Sequence, residues 1–412
     1  MDTLKHCKRA VLFGLPLLSS LALGSQADSQ GFVEDSHLDL FARTLYFNRD
    51  WHNRDANSSY SADFGQAITT QFHSGFTQGT VGFGIDALTL TGIKFDSGRG
   101  HNASASYPKD SDGRTEDSFS KGGAAVKVRV SNTVIKYGTQ FLSLPVLATD
   151  PGRLLPETAR GLLISSNEIE GLELNAAHIT ALSSQFKSGE DSKNLKQADA
   201  VGGSYQFTDN FSGSLYFSDI EDNFKKKYAN LNLVQPIVEG QKLTYDFNIY
   251  RSKSQGQELS GYVDNTIWSL TAAYVLGSHQ FLLGYQRNSG DTGYVYGADG
   301  GAVYDFGNSV QYSDFNAKNE TSWQVRYDLD FAGYGIPGLT FMIRYIRGDN
   351  IDNGMTSNGK EWERNESLRY VIQSGAAKGL AFQVRHAKNV SSALDSDLDE
   401  TRLIMDYPLS IF

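Results

Sequence analysis

From Trp323 to Phe331 the chain alternates without a break: Trp323, Val325, Tyr327, Leu329 and Phe331 on one parity, Gln324, Arg326, Asp328 and Asp330 on the other. A period of two sends successive side chains to opposite faces of an extended strand, so one face is apolar and the other charged. The template returns at Leu243, Tyr245, Phe247 and Ile249, at Leu339, Phe341, Ile343 and Tyr345, at Leu368, Tyr370 and Ile372, and at Phe382 and Val384. Strands of soluble sandwiches average about five or six residues. Segments near ten match the length of a tilted strand crossing a bilayer. Helical spans are excluded, because the longest mostly apolar run, Ala10 to Leu23, is too short for the roughly 30 Å hydrocarbon layer. The chain is polar on average, with a mean hydropathy of -0.37, yet carries 24 Phe, 21 Tyr and 41 Gly against 8 Pro. That combination suits β structure. A net charge of -10 argues against a nucleic-acid partner.

Breakers give a second count. Short ones fall near Gly75 to Gly79, Ser131-Asn132, Asn167 to Gly171, Asp209-Asn210, Glu239-Gly240, Gly277-Ser278, Gly333 to Gly338 and Ala376 to Gly379. Longer polar stretches lie between them, at Ser97 to Lys121, Phe186 to Asp199, Arg251 to Asp264, Asn288 to Glu320, Gly348 to Arg364 and Lys388 to Asp399. Alternating short and long connections are the asymmetry of an outer-membrane barrel. Eight short turns predict nine hairpins, hence an all-β transmembrane antiparallel β-barrel of about 18 strands. The final strand alternates through Leu403, Met405, Tyr407, Leu409 and Ile411 to a C-terminal Phe412, an ending similar to the signal read by the outer-membrane assembly machinery.

The first 27 residues read as a cleaved signal peptide. Lys5, Lys8 and Arg9 precede the apolar run, and Ser25-Gln26-Ala27 supplies small residues before the cut. Residues 28–412 would then be the barrel. Cys7 is the sole cysteine and would leave with the signal, so the exported chain could use neither disulfides nor a thiolate metal site. Eight scattered histidines and no HExxH, CxxC, GxSxG or Walker spacing predict no metal, no cofactor and no catalytic site. The acidic run Asp395 to Glu400 could bind Ca²⁺ among lipopolysaccharide phosphates and the triple Lys225-Lys226-Lys227 could touch those phosphates, but such runs are more often solvated loops.

Residues 141–161 break the pattern. They hold Pro145, Pro151 and Pro156 within an apolar stretch, so they cannot form one regular strand and should pack against something. In a barrel the available place is the lumen. An external loop capping the barrel is the alternative.

The blocks GFVEDSHLDLFARTLYFNRDW (31–51), VSNTVIKYGTQ (130–140), GRLLPETARGLLISSNEIEGLEL (152–174) and SVQYSDFNAKNETSWQVRYDLDFAGYGIPGL (309–339) resemble the OprD family of substrate-specific outer-membrane porins. The resemblance runs from Gly31 to Phe412. It implies a constriction built by the third external loop, here 141–161, and the seventh, here 298–315, with a ladder of arginines down one side of the lumen. It also implies a monomer or loose homotrimer in outer-membrane lipid and lipopolysaccharide.

An Arg facing lipid at mid-bilayer costs about 2 to 4 kcal/mol, so arginines within apolar alternation should point inward. Arg43, Arg129, Arg326, Arg344, Arg369, Arg385 and Arg402 meet that test. Arg43, Arg129, Arg369, Arg385 and Arg402 stand first, since strands near the two chain ends close against each other. A permanent charge on a planar fork suits passing a carboxylate along. Pairing with Asp246, Asp328, Asp330 or Asp406 to stiffen the wall is the alternative role. Arg153 and Arg160 could add positive charge at the constriction or tie the loop down through Glu157. Tyr304, Asp305, Asn308 and Ser309 would face them from the seventh loop. The expected function is passive diffusion of small carboxylate-bearing nutrients across a Gram-negative outer membrane. The rivals are a general small-solute pore, a basic amino-acid channel, an outer-membrane enzyme such as a phospholipase, and an adhesion barrel.

Overall fold

The computed structural model describes residues 24–53, 59–96, 106–190, 193–301, 306–394 and 396–412. Most of the expected signal peptide, together with Tyr304, Asp305 and Asp395, lies outside the described residues. The strands are β1 (His37–Trp51), β2 (Tyr60–His73), β3 (Val81–Lys94), β4 (Ser118–Val130), β5 (Thr133–Gln140), β6 (Ser143–Leu144), β7 (Leu147–Ala148), β8 (Thr158–Ile169), β9 (Leu172–Ser183) and β10 (Ala198–Thr208). They continue as β11 (Phe211–Ile220), β12 (Phe224–Val238), β13 (Gln241–Ser254), β14 (Asp264–Leu276), β15 (His279–Gly290), β16 (Thr321–Asp330), β17 (Leu339–Ile351), β18 (Gly359–Val371), β19 (Ala381–Ser391) and β20 (Asp397–Ser410). β6 and β7 pair only with each other. The other eighteen form one antiparallel sheet in chain order. It closes where β1 pairs with β20, from Asp39 opposite Ser410 to Trp51 opposite Leu398. Among the described residues no helix is long and apolar enough to cross a membrane.

Burial is inverted relative to a water-soluble sandwich. Phe83, Val126 and Leu283 are 57%, 58% and 63% exposed on the outer surface, whereas Gln286, Asn288 and Ser322 are fully buried on the inner one. The period-two pattern thus sends apolar side chains to lipid and polar ones to the lumen. Aromatic pairs mark the outer belt: Trp268 lies 5.3 Å from Tyr285, and Tyr345 lies 5.7 Å from Trp323 and 6.0 Å from Trp362.

All eight short breakers fall at turns on one end of the barrel. Gly171, Gly240 and Gly277 have φ of 75°, 75° and 56°, left-handed values that a Cβ would disfavour. The β16 strand stops one residue before Phe331, because Asp330 caps a 3-10 turn by accepting from the Ala332 N–H at 2.9 Å. The opposite end departs further from expectation. The stretches Arg251 to Asp264, Gly348 to Arg364 and Lys388 to Asp399 shrink to connections at 255–263, 352–358 and 392–396. The strands continue past the apolar belt with polar residues on both faces, and that end loses its period-two signature. The β11–β12 connection is only Glu221 to Asn223, so Lys225 to Lys227 belong to a strand and not to a loop.

The Pro-rich segment folds inward. Leu142, Leu144, Val146 and Leu147 pack on the inner side of the β9–β14 wall, against Ile179, Tyr216 and Tyr250. Leu154 and Leu155 pack on Leu45, Phe47, Leu88 and Leu90 of the facing wall. The segment therefore bridges the lumen between two apolar clusters. Tyr250 Oη donates to the Pro145 carbonyl at 3.3 Å and Ser218 Oγ to the Val146 carbonyl at 3.4 Å.

Orientation relative to lipid can be tested by substitution. Replacing outward Leu283 with Arg should lower barrel stability by about 2 to 4 kcal/mol, whereas Gln324→Arg on the inner face should cost much less. Denaturant titration of protein folded into vesicles measures both. Equal losses would contradict the assigned faces.

Candidate functional site

Six consecutive strands, β16 to β20 and then β1 across the seam, each carry at least one lumen-facing arginine. Arg326 stands opposite Arg344, and Arg344 opposite Asn365. Arg385 stands opposite Arg402, Arg369 opposite Gln383, and Arg43 opposite Asp406. Two cation pairs thus sit directly across neighbouring strands, an arrangement that destabilises a sheet unless something compensates.

Compensation is uneven. Arg43 is held by Asp406 through two bonds of 2.8 Å, Nε to Oδ1 and Nη2 to Oδ2. Arg326 forks onto Asp328 at 2.6 and 2.8 Å. Arg402 donates to Glu400 at 2.7 Å, and Arg49 donates to the other oxygen of that carboxylate at 2.7 Å. Among the described residues Arg344 donates only to the Asn365 amide oxygen, at 2.6 Å. For Arg369 and Arg385 no hydrogen-bond or ion-pair partner occurs among the described residues. Arg385 lies within Coulombic range of Arg402 and Arg43, and Arg344 within range of Arg326 and Arg385, so the guanidinium groups share one field.

The inward loop adds to that field. The Arg153 guanidinium sits 5.3 Å over the Phe47 ring, while Arg402 covers the same ring at 4.7 Å. Arg43 Nη1 donates to the Arg153 carbonyl at 3.4 Å, which locks the loop to the arginine strip. Glu157 does not tie down an arginine. It accepts from the backbone N–H of Asp150 at 2.9 Å and of Gly301 at 3.0 Å, joining the third loop to the seventh. Burial, with the nearby charge of Asp150, pushes its carboxyl up to about 7, although those two N–H groups pull the other way.

The seventh loop lies over the wall above the arginines. Arg402 Nη2 donates to the Gln311 carbonyl at 3.0 Å. Glu363 accepts from the N–H groups of Tyr312 and Ser313 at 3.0 and 2.8 Å, and Glu361 accepts from Ser313 Oγ at 2.9 Å. Asn308 is buried against β15 and β16, donating to Ser322 Oγ at 2.8 Å and accepting from Gln324 at 3.0 Å, which makes it an anchor. Ser309 bonds to Asp314. Asp314 in turn lies within Coulombic range of Asp150 and Arg344, so carboxylates of both loops face the arginine strip.

Two expected members stand apart. Arg129 is on β4, beside the Ser131-Asn132 turn, where Nε donates to Gln26 at 2.9 Å and the guanidinium covers Phe76 at 4.2 Å. Its strand is three away from β1, too far round the barrel to join the strip. Arg160 opens β8, is exposed, and pairs with Glu190 at 3.0 Å, because its parity turns it away from the loop. Conversely, Arg49, Glu363, Asp150 and Asp314 enter the site without having been singled out, and Glu400, the last residue of the acidic run, is buried on β20 and not part of a solvated loop. Arg49 shares the parity of Arg43 and could have been found; the loop carboxylates have no period to betray them.

A family model described as outer membrane porin, OprD family, matches residues 30–411. The chain belongs to the OprD family of outer-membrane porins. Porin D of Pseudomonas aeruginosa is 42% identical over 420 residues, spanning 94% of each chain. The porin-like protein GalP of Pseudomonas putida is 34% identical over 96% of this chain and 98% of its own. The crystal structure of Pseudomonas aeruginosa OpdK with vanillate superposes with a TM-score of 0.86 at 35% identity, over 92% of this chain and 100% of that one. The protein is accordingly a channel of the Gram-negative outer membrane and not an enzyme. Among the described residues no group of His, Cys, Asp and Glu could hold a metal ion.

The joint at Glu157 predicts a pH dependence. A carboxyl whose folded value is raised from 4.5 to about 7 contributes its packing fully below the unfolded value and loses it as pH rises through about 7. Loop closures, seen as noise in single-channel current, should therefore grow between about pH 5 and about pH 8. Glu157→Gln should flatten that rise. Noise independent of pH in the unaltered channel would remove Glu157 as the joint.

Proposed function

We propose that this porin passes small carboxylate-bearing solutes down their gradient, handing the carboxylate along Arg344, Arg385, Arg369 and the loop residue Arg153. The observation that carries this reading is the surplus of lumen guanidinium groups. Arg43, Arg326 and Arg402 have protein carboxylates, whereas Arg344, Arg369, Arg385 and Arg153 have none within ion-pair distance among the described residues. A planar fork left open to water accepts a carboxylate in bidentate fashion. Several such stops at short spacing let a solute be held weakly and released, as conduction requires. Asp150 and Asp314 on the facing loops would turn a solute that also carries a donor or a cation. The OpdK structure with vanillate, an aromatic carboxylate, supports this choice of solute class.

Export follows from the same reading. Residues 1–27 act as a cleaved signal, after which Gln26 no longer holds the Arg129 guanidinium, and the C-terminal strand is what the assembly machinery recognises. Arg129 then serves the periplasmic mouth and not the constriction.

The test is single-channel recording of the mature protein in a planar bilayer, with anion selectivity and block by benzoate. Arg344→Ala and Arg385→Ala should each raise the half-blocking benzoate concentration roughly fivefold or more, with single-channel conductance retained. Arg129→Ala should leave block unchanged. Equal block in all three variants would overturn the ladder, and neutral solutes of equal size passing as readily would favour a general pore.

A further inference from the structure

On the outer face, between β11 and β15, cations meet cations. Lys225 stands opposite Lys253, and in the next outward row Lys227 stands opposite Arg251. One row nearer the aromatic belt, Arg287 stands opposite Trp268. All five have the outward parity, since the residues between them, Lys226, Ser252, Gln286 and Asn288, are buried on the lumen side. Two carboxylates offset part of the charge: Asp219 pairs with Lys225 at 2.8 Å, and Asp264 with Arg251. Lys253 stands directly opposite Asp264 and lies within Coulombic range of its carboxylate, whereas Lys227 and Arg287 have no hydrogen-bond or ion-pair partner among the described residues. Like charges directly opposite on neighbouring strands are destabilising; Asp219 and Asp264 flank the Lys225–Lys253 row, but the Lys227–Arg251 row lies between Phe217 and Thr266 and calls for an anion from outside the chain.

Height and shape narrow what that anion is. Toward mid-membrane the same strands present Leu231, Phe247, Trp268, Leu270 and Tyr285, the lipid-facing band and its aromatic edge. The cations stand just beyond that edge, at the end where the long loops lie. Beside them is an apolar groove of about 470 Å³ lined by Leu162, Ile164, Ala176, Val201 and Phe217, with Lys225 and Lys227 at its rim together with Asp199 and Asp219. The connections directly above β11 to β14 are short, Glu221 to Asn223 and 255–263. A basic cluster at the headgroup level with an apolar groove alongside fits a phosphorylated lipid.

We propose that this face is a binding site for lipid A in the outer leaflet, whose phosphates lie between the paired cations while an acyl chain occupies the groove. The attraction arises locally, against a chain that is net negative overall. It needs no residue of the channel lumen.

The experiment is native mass spectrometry of the purified mature protein in detergent, titrated with bisphosphorylated lipid A, with monophosphoryl lipid A, with phosphatidylglycerol and with inorganic phosphate. Bisphosphorylated lipid A should bind at one copy per chain and ahead of phosphatidylglycerol, and inorganic phosphate should not displace it. Lys227→Gln combined with Lys253→Gln should weaken binding roughly tenfold or more, and Arg287→Gln by a smaller factor. Single-channel conductance, which these outward residues do not touch, should stay unchanged and so show that the variants fold. Undiminished lipid A binding by the conducting double variant would overturn the proposal. So would displacement by inorganic phosphate, or self-association of the chain that the same substitutions abolish without any loss of lipid.

Discussion

A chain inside hydrocarbon must bond every backbone N–H and C=O to itself, since an unmet group costs several kcal/mol and no water is there to meet it. The pairing of β1 with β20 discharges that obligation for the last two edges. Closure has a second consequence, because it turns one face of every strand to lipid and leaves the other facing water. The protein consequently has no conventional core. Its apolar packing is supplied by a loop, with Leu142, Leu144 and Leu147 against one inner wall and Leu154 and Leu155 against the other. The prolines that exclude this segment from the sheet free it to cross the pore.

That crossing decides where charge can act. Phe47 lies beneath Arg49, Arg153 and Arg402 at once, with centroid distances of 4.9, 5.3 and 4.7 Å. One ring thereby gathers guanidinium groups from two strands and a loop. Carboxylates divide the same field. Glu400 binds Arg49 and Arg402 with separate oxygens, and Asp406 binds Arg43 in a fork. These pairs are structural, fixing loop and seam. What they leave over, Arg344, Arg369, Arg385 and Arg153, feels carboxylates such as Glu363, Glu400, Asp406 and Asp150 only at a distance, with none at ion-pair range among the described residues.

Features with a local period were legible in the sequence. The alternation from Trp323 to Asp330 gave its strand and both of its faces, and the eight short breakers gave the turns at one end. Where the period fails, so did the reading. Beyond the aromatic belt both faces of a strand carry polar residues, so nothing in the run Gly348 to Arg364 distinguishes strand from loop. Lys225-Lys226-Lys227 looked like a solvated run, yet its middle member is buried, donating to Tyr294 Oη at 3.1 Å, while its neighbours face out. Parity also separates Arg160 from the constriction. What parity cannot supply is distance around the barrel: Arg129 and Arg43 read alike, but one lies on β4 and the other on the seam. Contacts of Asp150, Asp314 and Glu157 across loops have no sequence signal, because each depends on where two separate segments land.

The two cation fields obey one rule from opposite sides of the wall. Each contains cross-strand pairs of like charge, Arg326 with Arg344 and Arg385 with Arg402 inside, Lys225 with Lys253 and Lys227 with Arg251 outside. Such pairs persist only where an anion or ample water relieves them. Inside, the cations are arginines in a hydrated lumen, where a carboxylate can be bound by a fork and exchanged for water at each stop. Outside, lysines predominate, point charges suited to a phosphate that approaches from any direction. There the neighbouring lipid lowers the dielectric, and the anion we propose is tethered by its own acyl chain in the groove beside it. The same repulsion in the sheet therefore yields transient occupancy on one parity and lasting occupancy on the other, and a shift of one residue in register would exchange them.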